Sequence, residues 1–110
     1  MDNDKFIWGV PGDLPGEYDL ELTYNESKKC YHLNIETIYY FTDNRQEYEH
    51  FRYLLTKFEN WMCENGHYTT GDITLNDILY HNVREFPRIE KAFYWFRFMV
   101  RSFGEYHGYY

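Results

Sequence analysis

The chain has few of the residues by which catalytic sites are usually recognised. It contains two cysteines and two serines in 110 residues, with no CxxC pair, no HxxxH pair and no GxSxG motif. The glycine-bearing stretch GVPGDLPG, residues 9–16, lacks the lysine and hydroxyl residue of a phosphate loop, and its prolines have no N–H to donate. We therefore expect a protein that is not an enzyme and that has no cofactor.

Two weaker arrangements of reactive side chains remain. Cys63 and His67 are four residues apart across a predicted helix end. Cys30 and His81, which are distant in sequence, would have to supply the other two ligands of a tetrahedral zinc site. Asp77 and His81 have the spacing of an acid and base on one helix face, although such a pair is more often a surface contact. We expect neither a metal site nor catalysis from these residues.

A long apolar run is also missing. The most apolar segment, KAFYWFRFMV at 91–100, is interrupted by Arg97 and followed by Arg101, well short of the roughly 20 apolar residues of a membrane span. The opening MDNDKFIW has no basic segment followed by an apolar stretch, so no secretory signal is visible. These features predict a cytoplasmic protein with reduced thiols and no membrane contact.

Basic residues are scarce, and their distribution is uneven. Lys and Arg number 11 against 18 Asp and Glu, a formal net charge of −7. Residues 1–78 contain 15 acidic and six basic side chains, whereas residues 79–110 contain three and five. Because nucleic acid phosphates are bound through Lys and Arg clusters, direct nucleic acid binding is not expected. A partner protein with a basic surface is the expected target.

What the chain has in abundance is aromatic residues, 23% of the total. A chain of this length forms one domain, 1–110, with one core. Alternation over 18–41 predicts a β-hairpin with Leu20 opposite Leu33 and Glu21 opposite His32. The core-facing residues of this hairpin are Tyr18, Leu20, Leu22, Tyr31, Leu33 and Ile35. The N-terminal arm, 1–17, contains the apolar patch Phe6–Trp8 and is expected to cover the hairpin end, either as a third strand or as a covering arm.

The period then changes to that of a helix. Helices are predicted over 43–65, 75–81 and 87–103, with Gly104 ending the last one and 104–110 forming an aromatic tail. The expected fold is α+β, a small antiparallel sheet with about three helices packed on one face.

Carboxylates on the polar side of the hairpin form the first candidate site. Asp19, Glu21 and Glu36 are predicted to project from this side, with Asp43 and Glu47 near the start of the first helix. Carboxylates at every second residue of a strand repeat at about 6.6 to 7 Å, close to the spacing of phosphates along one nucleic acid strand. Such a surface would compete for a basic groove, although the ordinary role of exposed carboxylates is solubility.

Aromatic residues of the last helix form the second candidate site. Tyr94, Trp95 and Phe98 lie off the core arc, among basic residues such as Arg101. Three explanations compete: the N-terminal arm or the tail covers them, they form a partner or self-association surface, or they stack on bases. The first is the ordinary outcome, and the last is disfavoured by the charge.

These observations lead to two hypotheses of function. The first is a non-enzymatic acidic protein that binds and occludes a basic site on a partner protein. Inhibitors of nucleic-acid-handling effectors, either of the phage and mobile-element anti-defence type or of the nuclease-toxin immunity type, fit this description. The second is a structural or assembly protein that forms a homo-oligomer through the aromatic surface of the last helix and tail.

Overall fold

One antiparallel sheet and two helices make up the part of the chain that the computed structural model describes, residues 4–36, 44–74 and 85–109. The strands are β1 (Asp4–Pro11), β2 (Tyr18–Asn25), β3 (Cys30–Ile35) and β4 (Glu85–Phe86), and they lie side by side in this order. The helices are α1 (Asn44–Glu64) and α2 (Ile89–His107). The α+β class is thereby confirmed, and of the two alternatives for the N-terminal arm the structure has the strand.

The number of helices differs from the prediction. The described residues contain two helices rather than about three, and 75–81, where the short helix was predicted, lies outside the described residues. The helix predicted over 43–65 corresponds closely to α1, which is followed by Gly66 in the left-handed region at φ 75°. β4 was not predicted, because two residues are too few to show alternation.

The predicted end of the last helix is wrong. α2 continues through Gly104 to His107 and is closed by Gly108, at φ 72°. Gly104 is buried inside the helix, and a Cβ added there would lie 2.6 Å from the Tyr48 ring of α1. The glycine therefore permits close helix packing instead of ending the helix. Most of the predicted aromatic tail, 104–110, is the last turn of α2.

The hairpin forms, but its predicted register is wrong by two residues. Leu20 lies opposite Ile35, and Leu22 lies opposite Leu33. The turn is centred one residue later than expected, because the Asn25 side-chain oxygen accepts a 2.9 Å hydrogen bond from the Lys28 backbone N–H. An even shift keeps every paired side chain on the predicted side of the sheet.

A bulge at the start of β2 changes the side for two residues, Tyr18 and Asp19. Asp19 is an extra residue in β2 opposite the end of β1. As a result Tyr18, predicted to face the core, lies on the polar side, where its ring covers Gly9 and is 5.1 Å from the Phe6 ring. The core assignment of Tyr18 is therefore wrong.

Both helices pack on one side of the sheet around a shared core. Trp8 of β1 stacks on Phe58 and Trp61 of α1, at 5.2 and 5.4 Å between ring centroids, and Phe58 meets Phe93 of α2 edge to face at 5.4 Å. The largest fully buried side chains are Phe58, Phe93, Phe96, Leu20, Leu22, Leu33, Leu54 and Met62. Burial of each side chain contributes about 1.5–3 kcal/mol to stability. Because these side chains come from the sheet, α1 and α2, each of the three stabilises the other two.

Candidate functional site

Predicted carboxylates gather at one end of the domain. Asp19 is the bulged residue near the start of β2, and Glu36 follows β3, where its backbone N–H donates a 3.0 Å hydrogen bond to the Asp19 carbonyl. The bulge turns the Asp19 side chain toward α1, and its Oδ2 lies 3.6 Å from His50 Nε2. Glu47 is one helical turn before His50. Asp43, the fifth predicted carboxylate, lies outside the described residues.

The turn from β1 to β2 adds two exposed carboxylates at the same end. Asp13 and Glu17 belong to residues 12–17, a turn closed by a 2.8 Å hydrogen bond from the Gly12 N–H to the Glu17 carbonyl. We call the resulting group the acidic end. It consists of Asp13, Glu17, Asp19, Glu36 and Glu47.

Glu21 does not belong to the acidic end. It lies in the middle of the sheet, paired with Gly9 and Asn34, and its side chain is half-buried on the polar side. Because the bulge directs Asp19 to the other side, the predicted row of Asp19, Glu21 and Glu36 along one face does not form. The carboxylates are assembled by the ends of three strands and the first turn of α1.

Two of the predicted aromatic residues are covered within the chain. The Tyr94 hydroxyl donates a 3.2 Å hydrogen bond to the Tyr68 carbonyl, and its ring lies against Gly71. Trp95 is half-buried and packs on Phe86 of β4 at 5.5 Å between ring centroids. The covering segments are thus residues 68–71 and β4. The expectation that the N-terminal arm or the tail covers them is wrong.

An exposed apolar stripe remains on α2. Phe98 is 43% exposed and Met99 is 44% exposed. Their positions align along the helix with Trp95, Ser102 and the 86%-exposed Tyr106. We call these five residues the outer stripe. Arg101, also predicted for this site, is exposed beside the stripe and lines a groove with Phe98.

A further group of reactive side chains was missed by the sequence analysis. On the polar side of the sheet, Cys30 Sγ lies 3.6 Å from His32 Nε2, and this nitrogen lies 3.7 Å from Glu85 Oε1. The ligand-type atoms of the three residues lie within 4.8 Å of one another. His32 Nδ1 lies 2.7 Å from Asp4 Oδ2. We call Asp4, Cys30, His32 and Glu85 the polar cluster.

Hydrogen bonds fix the orientation of the polar cluster. Asp4 accepts 2.9 Å hydrogen bonds from the Thr23 hydroxyl and from the Asn25 amide. The hydrogen bond from His32, together with these two, lowers the pKa of Asp4 despite partial burial. An ionised Asp4 accepts a hydrogen bond from the Nδ1–H of His32, which leaves the Nε2 lone pair directed at Cys30 and Glu85.

The thiol in the cluster is not set up as a nucleophile. Cys30 is buried, with 9% of its surface exposed. Burial raises the pKa of its thiol, and the carboxylate of Glu85 raises it further. A catalytic cysteine requires a lowered pKa and access to solvent, so the arrangement of Cys30, His32 and Asp4 is better suited to holding a ligand than to attacking a substrate.

The sequence contained only part of the signal for this cluster. Cys30 and His32 alternate on one strand and therefore share a side, but Asp4 and Glu85 come from distant strands, one of them too short to predict. The other candidate metal ligands lie outside this cluster. Cys63 is exposed on α1, and His67 lies 3.1 Å from Glu90 and stacks on Trp61. His81 and Asp77 lie outside the described residues.

Comparison with protein-family models, curated proteins and solved structures finds no match for the chain. In the part of the chain that the structure describes, neither helix is both long and apolar enough to span a bilayer.

Proposed function

We propose that the protein is a non-enzymatic acidic binding protein whose acidic end docks on, and thereby occludes, a basic site on another protein. The observation that carries this proposal is the convergence of Asp13, Glu17, Asp19, Glu36 and Glu47 at one end of the fold. Asp13, Glu17 and Glu36 are exposed, so their charges are available for steering a basic partner and for pairing with its Lys and Arg side chains.

Apolar side chains at the acidic end supply anchors for such a contact. Leu14 is 60% exposed at the tip of the turn between Asp13 and Glu17, and Tyr53 is 50% exposed one helical turn after His50. Carboxylates increase the rate of encounter, whereas apolar and aromatic side chains that become desolvated in a complex slow dissociation. The acidic end combines both kinds of residue.

The partner class that best fits is a nucleic-acid-handling protein, because its basic groove is built to accept closely spaced negative charges. Occlusion of such a groove is the action of an inhibitor, either of the anti-defence type or of the nuclease-toxin immunity type.

The test is salt-dependent binding to a panel of purified basic nucleases and nucleic-acid-binding proteins. The variant Asp13→Lys, Glu17→Lys, Glu36→Lys should weaken binding at low salt by about tenfold or more, since each exposed pair contributes about 0.2–1 kcal/mol. Glu59, Glu64 and Glu105 are exposed and lie elsewhere. Their reversal to lysine changes the net charge equally and is the matched control. Equal losses in both variants, or no binding to any panel member, would contradict the proposal.

A second candidate function is self-assembly through the outer stripe, which the exposure of Phe98, Met99 and Tyr106 favours. Light scattering should then detect a concentration-dependent oligomer that Phe98→Glu abolishes. Leu14→Glu, which places the same charge at another exposed apolar position, is the control and should leave the oligomer intact. A monomer at all concentrations would eliminate this candidate.

A further inference from the structure

The polar cluster has the composition of a zinc site. Zinc prefers cysteine sulfur, histidine nitrogen and carboxylate oxygen, at about 2.3 Å for sulfur and about 2.0–2.1 Å for nitrogen. Two such ligands at a tetrahedral angle are separated by about 3.5–3.6 Å. Cys30 Sγ and His32 Nε2 are 3.6 Å apart, so these two ligands already have the spacing that zinc requires.

Glu85 supplies a third ligand with a small adjustment. Its Oε1 lies 3.7 Å from His32 Nε2 and within 4.8 Å of Cys30 Sγ, and its side chain is 36% exposed, so a change of rotamer can bring it to the metal. Glu85 belongs to β4, which pairs with β3 at His32, so the backbone holds the two side chains next to each other.

An outer layer of hydrogen bonds completes the arrangement. In protein zinc sites, the histidine ligand commonly donates its second ring N–H to a carboxylate, which fixes the ring and increases its basicity. Asp4 occupies this position at 2.7 Å from His32 Nδ1 and is itself held by Thr23 and Asn25. Such preorganisation is not needed by an ordinary surface histidine.

We propose that Cys30, His32 and Glu85 bind one Zn²⁺ ion on the polar side of the sheet, with Asp4 orienting His32 and a water molecule as the fourth ligand. The ion would fasten β3 to β4 directly and to β1 through Asp4. This proposal is independent of the proposed function, because the polar cluster and the acidic end share no residue.

One neighbouring cation affects the affinity. Lys28 Nζ lies 3.2 Å from Glu85 Oε1, with its side chain 52% exposed. It would have to move from this oxygen when the metal binds, and its charge would oppose that of the ion. Lys28→Gln should therefore tighten zinc binding about two- to fivefold, the range expected for an exposed charge pair.

The experiment uses the reduced 110-residue chain and zinc chloride, titrated against a competing chromophoric chelator. One equivalent of zinc should bind, and cobalt(II) chloride should give a thiolate-to-metal charge-transfer band. Cys30→Ser and Glu85→Gln should abolish or strongly weaken binding, and Asp4→Asn should weaken it about 10- to 100-fold. Cys63→Ser removes the exposed cysteine of α1 and is the matched control, with unchanged binding.

Thermal unfolding and thiol modification provide readouts that do not depend on the chelator. A hundredfold excess of free zinc over Kd should raise Tm by about 10 °C in the natural sequence and in Cys63→Ser, but not in Cys30→Ser. Zinc should slow iodoacetamide modification of Cys30 and leave that of Cys63 unchanged.

Three results would overturn the proposal. The first is no zinc binding, and the second is binding that survives both Cys30→Ser and Glu85→Gln. The third is Cys30 modification that is faster than that of Cys63 and insensitive to zinc, which would identify Cys30 as a reactive nucleophile instead. Circular dichroism of each variant separates a lost ligand from a lost fold.

Discussion

Gly104 determines how closely α1 and α2 approach. The Tyr48 ring occupies the space that a side chain at 104 would fill, and it is itself confined by Phe103 and Tyr109, at 6.2 and 5.5 Å between ring centroids. In sequence the residue resembled a helix stop, because glycine favours the position just after a helix. Its role as a space for a ring depends on a residue 56 positions earlier and was not predictable.

Replacing Gly104 with alanine should destabilise the protein by up to about 2 kcal/mol. Alanine gains about 1 kcal/mol of helix propensity, but overpacking against the buried ring costs about 1–3 kcal/mol or more. Urea unfolding measures the difference. In the background Tyr48→Leu the cost of Gly104→Ala should shrink or change sign, as a double-mutant cycle would show. A stabilising effect in the natural background would refute the packing argument.

Glu90 gives a prediction about pH. Burial acts to raise its pKa, but hydrogen bonds from its own backbone N–H and from His67 outweigh this and lower the pKa below the ordinary 4.5. A lowered folded-state pKa stabilises the protein above the ordinary value, and this contribution is lost as pH falls through the lowered pKa. Because Glu90 lies in the first turn of α2, its negative charge also interacts favourably with the helix dipole.

Glu90→Gln should therefore reduce the free energy of unfolding by about 1 kcal/mol at pH 7, and the difference should shrink as the pH falls through the lowered pKa of Glu90. Urea titrations at a series of pH values test this. Glu105→Gln, at an exposed position near the end of the same helix, is the control and should show little difference at any pH. A Glu90→Gln effect that is constant with pH would show that the charge is not responsible.

At the scale of elements, Arg97 attaches the segment after α1 to α2. Its guanidinium donates to the Thr69 carbonyl at 2.7 Å, to the Gly71 carbonyl and to Asp72 Oδ1 at 3.0 Å. The same group lies over the Tyr94 ring at 5.4 Å. Other contacts of the segment are those of His67 with Glu90, of the Tyr94 hydroxyl with the Tyr68 carbonyl and of Ile73 with the core.

Arg97→Ala should accelerate amide hydrogen exchange in residues 68–73 and destabilise the fold by about 1–3 kcal/mol, because partly buried carbonyls lose their donors. Hydrogen exchange followed by mass spectrometry locates the change. Arg101→Ala, one turn later and exposed, should leave exchange in 68–73 unaltered. Equal exchange in both variants would show that other contacts hold the segment.

The sequence predicted elements well where a long periodic pattern existed. The hairpin, α1 and the N-terminal strand follow from alternation, helical spacing and proline-glycine turns. The predicted register was wrong because the turn after Asn25 could be centred at either of two places. The strand β4 was not predicted because it is only two residues long. The acidic end was predicted only in part, since a single bulged residue, Asp19, changes which carboxylates lie together.

At the scale of the molecule, the sheet and both helices share one core. Trp8 and Trp61 report the contact of β1 with α1, and Phe58 joins this contact to Phe93 of α2. Because no layer has a core of its own among the described residues, the layers should not unfold separately.

Tryptophan fluorescence and far-ultraviolet circular dichroism should therefore give the same unfolding midpoint in urea. Phe93→Leu should lower both midpoints together, with a loss of about 1–2 kcal/mol. Leu14→Ala, at an exposed position in the turn, should change neither. Two separate midpoints in the natural sequence would show that the sheet and helices are independent units.

The meander order of the sheet has a consequence during synthesis. β1, β2 and β3 are neighbours in both chain and sheet, so they can pair as soon as they leave the ribosome, long before α2 has been translated. Until then the side chains of Leu20, Leu22 and Leu33 have no α2 to cover them. An mRNA that ends before the codons of α2 should therefore yield an aggregation-prone polypeptide that binds chaperones or forms inclusion bodies.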